Sequence, residues 1–417
     1  MEPFHRILVI TPAQLGDVLL CTPLIRAARA RWPAARIDVL GFARTLDLLA
    51  GNPDVGELIE IPPGRDRRAQ LRQAWKLRRR YDLALVTRPS DRSHLYGIVC
   101  ARTRSAVLPD HGPGRFWKRW VAQHGTVPAP GTHQVLHKLQ LLGPWADPPA
   151  ALSLQPPPGA LLPPDIDARI SHPCVVVHAP SMWRYKQWPA EHFRRVVDGL
   201  LADGVQVILT GSGSSHDRSQ VEQVRGTDAL PGVLDVSGRL TMRQMRTLLE
   251  RAAAYVGPDT SVTHLAAAVG IPIVTMFGPT SPQDFGPWPA DHPPTQPWLR
   301  RAGRQQVGNI VVLQGPDLPD RQCVPCNRMG CDNHHASASQ CLQQLEPERV
   351  LAELKTMLAQ RRTGGDVRAQ APKLSAPPGK ALPSAPVSAV QCMVSSAASR
   401  PATLPRAPSV KAGITER

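Results

Sequence analysis

Short apolar runs rich in β-branched residues alternate with helix-length segments along this chain, and the whole series occurs twice. A βαβα rhythm is satisfied by a parallel sheet with helices on both faces, so it constrains the fold more than any other feature. In the first series "RILVI" (6–10), "RIDVLGF" (36–42), "ELIEIP" (57–62) and "YDLALVTRP" (81–89) read as strands. Between them "VLLCTPLIRAARARW" has helical apolar spacing up to Pro33. "RTLDLLAGN" reads as a short helix closed at Gly51, and "RRAQLRQAWKLRRR" as a third helix. Residues 144–173 are proline-rich and read as a connector.

After the connector, "CVVVHAP", "VQVILTG", "AAYVGP" and "PIVTMFGP" repeat the strand signal. "PAEHFRRVVDGLLADG", "TMRQMRTLLERA" (Thr241 as N-cap), "SVTHLAAAVG" (ending at Gly270) and "LEPERVLAELKTMLAQ" read as helices. The expected organisation is a Rossmann-like domain over 1–150, a linker over 151–172, a second Rossmann-like domain over 173–360 and a tail over 361–417. The tail is Ala/Pro/Ser-rich without periodicity and is expected to be disordered. Two such halves place a ligand crevice at the carboxyl ends of their strands.

No run approaches the roughly 18 apolar residues of a membrane span, and "ILVI" before Pro12 is too short for a signal peptide. A soluble, cytoplasmic protein with reduced thiols is the expectation. The formal charge of +16 is unevenly spread: residues 1–150 carry 22 Lys/Arg against 12 Asp/Glu, and residues 171–360 carry 17 of each. The segment 65–80 alone holds eight basic residues and one acid. Such a patch is either a solvated helix face or a seat for nucleic acid, an anionic membrane or a phosphorylated substrate. Neither half has G-x-G-x-x-G after its first strand, which removes the main support for a dinucleotide oxidoreductase, and no G-x-x-x-x-G-K-[ST] is present.

Three segments can carry chemistry. In "ILVITPAQLGDVLLCTP" (7–23) a buried strand leads to Gly16-Asp17 just before an apolar helix, so Asp17 is either a helix cap or a carboxylate at the cleft mouth. In "HAPSMWRYKQWP" (178–189) a strand end delivers His178, Ser181, Arg184 and Lys186 into a loop, where a lysine can neutralise a diphosphate. In "GPDTSVTHLAAAVGIP" (257–272) Asp259, Thr260 and Ser261 open a helix whose first amides make an anion site, with His264 one turn in. Ordinary capping and core packing explain each of the last two equally well when taken alone.

Together these segments resemble the lipopolysaccharide heptosyltransferases, glycosyltransferase family nine. "GDVLLCTP", "HAPSMWRYKQW" and "DTSVTHLAAAVGIPIVTMFGPTSP" match that family's three patterns in order, and "DVSGRLTMRQM" matches the segment before the last. The "WRYKQW" form is most similar to the heptosyltransferase III branch. The resemblance covers roughly residues 5–355 and implies a GT-B fold, two Rossmann-like domains facing across a cleft. It implies inverting transfer of L-glycero-D-manno-heptose from ADP-heptose to the inner core of lipopolysaccharide. By position it implies Asp17 as catalytic base, and Ser181, Lys186, Leu240, Asp259, Thr260, Ser261 and His264 as donor-binding residues. No metal or other cofactor is implied for transfer. The implied partners are the nucleotide sugar and a phosphorylated lipid A–core acceptor, with peripheral contact at the inner face of the inner membrane and no nucleic acid.

The spacing "CVPCNRMGCDNHHASASQC" leaves one alternative, a structural zinc on Cys323, Cys326, Cys331 and Cys341. Two further readings compete with the heptosyltransferase. One is a related GT-B enzyme for another nucleotide sugar or acceptor, and the other a non-catalytic binder of anionic surfaces or nucleic acid.

Overall fold

The computed structural model describes residues 4–64, 66–112, 114–226 and 230–363. The first sheet contains β1 (Arg6–Ile10), β2 (Arg36–Gly41), β3 (Leu58–Glu60), β4 (Tyr81–Val86), β5 (Ala101–Val107) and β6 (His124–Thr126). Its order is β3-β2-β1-β4-β5-β6, and every pairing is parallel. β1 is central because both of its faces are apolar: Ile7 and Val9 enter one core and Leu8 and Ile10 the other. Helices α1 (Leu15–Leu19), α2 (Thr22–Arg31), α3 (Ala43–Leu46) and α7 (Gln134–Leu139) cover the first face. Helices α4 (Arg67–Lys76), α5 (Asp91–Cys100) and α6 (Arg115–Val121) return the chain toward the β6 edge. Ala74, Leu77, Tyr96 and Cys100 carry α4 and α5 onto the second face, as right-handed crossovers in that direction require.

The sequence suggested one helix from Val18 to Trp32, and the structure divides it. Pro23 has no N–H to give to a preceding turn, so the chain restarts at Thr22, whose hydroxyl donates to Leu19 O at 2.7 Å. β5, "ARTRSAV", carried no strand signal because Arg102 and Arg104 interrupt its apolar run. The Arg104 guanidinium donates to the carbonyl oxygens of Val121 and Ala101.

The connector is a packed strap. Leu152, Leu154, Leu162 and Ile166 are buried in it, and α8 (Pro164–Asp167) lies within it. Gln155 N donates to Thr22 Oγ1 of the first half, and Ala160 N to Thr247 Oγ1 of the second. The second sheet holds β7 (Cys174–His178), β8 (Gln206–Thr210), β9 (Val233–Asp235), β10 (Ala254–Pro258), β11 (Ile273–Phe277), β12 (Arg304–Val307) and β13 (Ile310–Gln314). The order is β12-β13-β11-β10-β7-β8-β9, parallel except for the β12–β13 hairpin at one edge. Its helices are α9 (Ala190–Ala202), α10 (Ser215–Arg225), α11 (Met242–Arg251), α12 (Ser261–Val269), α13 (Pro282–Phe285), α14 (Gln340–Gln343) and α15 (Pro347–Thr363). Thr241 caps α11 as expected, completing a capping box with Gln244, and Gly270 closes α12 in the left-handed region. α15 runs to Thr363, past the expected boundary at 360. The expected disorder of the tail lies, from residue 364, outside the described residues.

The two halves share one apolar cluster that runs from Ile7 and Leu24 to Tyr255, Val262 and Trp288. His133, fully buried at the start of α7, pins them together. Its Nδ1 accepts from Val135 N–H and its Nε2–H donates to Gly286 O at 2.8 Å. Both bonds need the neutral ring, and burial pushes its pKa down to about 3. An unfolded histidine titrates near 6.5, so the unfolded chain binds this proton first as pH falls. Stability is therefore full above pH 6.5 and should drop by roughly 1.4 kcal/mol per pH unit on the way toward pH 4 from His133 alone. Thermal melts across that range on the native chain and on His133→Asn check this: the variant, less stable at pH 7, should show the shallower slope.

Candidate active site

β10 ends at Pro258, and Asp259 follows it, buried, before α12 begins at Ser261. Thr260 is the N-cap by backbone conformation, but its side chain makes no capping hydrogen bond. Its hydroxyl lies instead 3.5 Å from Thr263 Oγ1. The first amides of α12 thus lack a side-chain cap while carrying the positive end of the helix dipole. Lys186, at the end of a short 3₁₀ turn (Arg184–Lys186), reaches across from β7 and donates to Asp259 Oδ2 at 2.5 Å. Burial pulls the Lys186 ammonium down, yet the adjacent Asp259 carboxylate outweighs it and holds the pKa above the ordinary value. His264 Nε2 lies 4.0 Å from Asp259 Oδ1, and burial lowers the ring's pKa. Its Nδ1 is buried without a hydrogen-bond partner among the described residues, a polar atom that a ligand can satisfy.

Asp17 approaches this cluster from the other half. It sits in the first turn of α1, whose N-cap is Gln14 and which has no side-chain cap, so the capping role open at the sequence level is not the one it plays. α1 packs directly on α12 because Gly16 lets it: a Cβ built there would lie 3.0 Å from His264 Cδ2 and 3.7 Å from the Ser261 Cα. Asp17 is the residue after this contact, and its carboxylate acts electrostatically on both Lys186 and His264. Gly16→Ala should therefore push α1 off α12, lowering stability by about 1–3 kcal/mol and turnover with it. A melt and a turnover assay on that variant measure both.

Two cations beside Asp17 escaped the sequence reading. Arg88 Nη1 lies 3.3 Å from Asp17 Oδ2. It stands just past the end of β4, at the carboxyl end of a parallel strand, which is the place to look for such a group. Lys138 lies on α7 and is fully buried, with Gln134 Oε1 at 3.4 Å. Burial lowers its pKa, Asp17 and Cys21 oppose this, and Arg88 adds to it. Nothing in "QVLHKLQ" marks it, because no acidic residue stands near it along the helix.

The remaining expected site residues are dispersed around the donor side. Ser181 is buried, and its carbonyl accepts from Gln187 Nε2 and lies 3.1 Å from His216 Nε2. Leu240 is half-buried just before α11 and packs against the shared core. His178 is committed to Thr210, its Nδ1 3.0 Å from Oγ1. Trp188 is a packing residue whose indole donates to Leu345 O. Trp183 stacks on His335 with ring centroids 4.2 Å apart, and Ser339 Oγ donates to Tyr185 O. Asn327 N donates to Pro279 O. The cysteine-rich loop thus buttresses both the Lys186 strap and the turn after β11. Its four thiols are free, and among the described residues no three His, Cys, Asp or Glu side chains are arranged to hold a metal ion.

Residues 71–294 match the model of glycosyltransferase family 9 (heptosyltransferase). The Escherichia coli K12 protein named lipopolysaccharide heptosyltransferase 3 is 27% identical over 288 residues, covering 66% of this chain and 82% of that one. Lipopolysaccharide heptosyltransferase 2 of the same strain is 26% identical over 376 residues, covering 85% and 99%. Among solved structures, E. coli ADP-heptose LPS heptosyltransferase II superposes with a TM-score of 0.63 at 23% identity, covering 86% of this chain and 99% of that one. E. coli heptosyltransferase WaaC with ADP gives 0.60 at 17%, covering 84% and 99%. These neighbours share the GT-B fold of two parallel-sheet halves. With the family match extending over more than half of its length, this chain belongs to glycosyltransferase family 9, the heptosyltransferases.

Proposed function

We propose that the protein transfers L-glycero-D-manno-heptose from ADP-heptose to a sugar hydroxyl of the lipopolysaccharide inner core, with inversion at the anomeric carbon. The observation that carries this reading is the opposition of Asp17, from the first half, to the Lys186–Asp259–His264 cluster at the α12 N-terminus of the second. Asp17 takes the proton of the attacking hydroxyl as its oxygen bonds to C1. The C1–O bond to the diphosphate breaks, and its electron pair leaves with ADP. Lys186 and the uncapped α12 amides stabilise that departing charge, so no metal ion is needed. Asp259, displaced from Lys186 by the diphosphate, is free to face the sugar. Thr260 and Ser261 line the phosphates beside Ser181, and Leu240 packs on the adenine.

The relatives that match are named for lipopolysaccharide or lipooligosaccharide, which supports a lipid-anchored acceptor and a peripheral site of action at the inner face of the inner membrane. Identities of 27% and 26% to types 3 and 2 do not separate those branches. A thermal-shift panel tests the donor. ADP and ADP-heptose should raise the midpoint while UDP and GDP species do not, and an equal response to UDP-sugars would point to the related GT-B alternative.

A further inference from the structure

The outer surface of α4, α5 and α6 carries features that the transfer reaction does not use. Tyr96 of α5 donates to Gln73 Oε1 of α4, and Asp91 at the start of α5 pairs with Lys118 of α6 at 2.6 Å. The three helices therefore form one continuous layer. On it Leu71 is 69% exposed, Trp75 67%, Phe116 81% and Trp120 88%, with Leu95 exposed between them. Leu71/Trp75 and Phe116/Trp120 are each spaced i,i+4, so each pair forms one outward stripe on its helix. Large apolar side chains this open to water are unusual when clustered and mark a contact surface.

The same face is strongly basic. Arg67, Arg68, Arg72 and Lys76 on α4, and Arg115 and Arg119 on α6, are exposed. None of the six forms an ion pair among the described residues. Lys118, the one Lys or Arg of these helices that is buried, is the one paired to an acid. Rows of Trp, Phe and Leu interleaved with unpaired arginines suit the boundary between headgroups and acyl chains, where the rings enter the apolar margin and the guanidinium groups meet lipid phosphates. Nucleic acid would use the charge but not two i,i+4 apolar stripes. The layer also adjoins the site: α5 begins at Asp91, three residues beyond Arg88, which pairs with Asp17.

We infer that this face is the seat on which the protein lies on an anionic lipid bilayer. The inference deepens the proposed lipid-anchored acceptor, and it rests on that reading only for the purpose of the contact. Seating the α4–α6 layer on the bilayer sets the Asp17 rim next to the surface from which such an acceptor sugar projects.

The test is co-sedimentation of the full chain with vesicles of phosphatidylcholine alone or containing about one-third phosphatidylglycerol, at low and high salt. Wild type should sediment with the anionic vesicles only, and less at high salt. The variant Leu71→Ser/Trp75→Ser/Phe116→Ser/Trp120→Ser should lose at least roughly tenfold in partitioning. Arg72→Gln/Lys76→Gln/Arg119→Gln should lose the preference for anionic lipid. Both should keep the wild-type melting midpoint and the wild-type shift with ADP, so a failure of vesicle binding is distinguishable from a failure of the donor reading. Undiminished vesicle binding by the apolar variant overturns the proposal. So does a wild-type dimer that this variant converts to monomer without change in vesicle binding, or RNA binding that both variants abolish while vesicle binding persists.

Discussion

Asp17→Asn should reduce heptosyl transfer by roughly 10²–10⁴-fold while leaving ADP affinity nearly unchanged. The asymmetry follows from position. Asp17 belongs to α1 of the first half, and the groups assigned to the nucleotide belong to the second. The substitution is isosteric, so the close approach of Gly16 to His264 is retained and the loss is one of proton transfer rather than of packing. Steady-state turnover with ADP-heptose and a lipid A–core acceptor, beside calorimetric titration with ADP, separates the two quantities. Near-normal turnover would mean that Asp17 serves only to hold Arg88, and the catalytic assignment would fall.

Lys186→Met should produce two losses with different origins. Removing the ammonium takes away charge stabilisation of the departing diphosphate, expected to lower turnover by roughly 10²–10³-fold and to weaken ADP binding. It also leaves Asp259, buried beside it, without its ion-pair partner, which should lower stability by roughly 3 kcal/mol. A second substitution tells them apart. In Lys186→Met/Asp259→Asn the uncompensated charge is gone, so the melting midpoint should recover toward wild type while transfer stays low. If the single variant keeps wild-type ADP affinity, the ammonium serves Asp259 alone and the leaving-group role is refuted.

The cysteine-rich loop bears on the same strap. With His335 stacked on Trp183 and Ser339 bonded to the Tyr185 carbonyl, the loop fixes the backbone that delivers Lys186. Its packing gives the segment a purpose that the spacing of its thiols alone does not express.

Eight of the thirteen strands and about half of the helices among the described residues are legible in the sequence, with the chemical character of the loops that follow β1, β7 and β10, because these depend on local periodicity and on residues at strand ends. "RILVI", "CVVVHAP" and the Thr241 cap are legible at a range of a few residues. The sequence determined less where a residue's role depends on a distant neighbour. β5 becomes a strand because β4 and β6 flank it, despite its arginines. The helix after β1 and the α12 N-terminus were readable as elements, but the break at Thr22 was not, and the contact of α1 with α12 through Gly16 follows from tertiary packing. Lys138 acquires meaning only through its burial beside Asp17 and Arg88, and Lys186 through its bond to Asp259, 73 positions away. Local propensity is set within a few residues along the chain, whereas the strength of a charge depends on what surrounds it in space and how much water is excluded, and folding alone sets that.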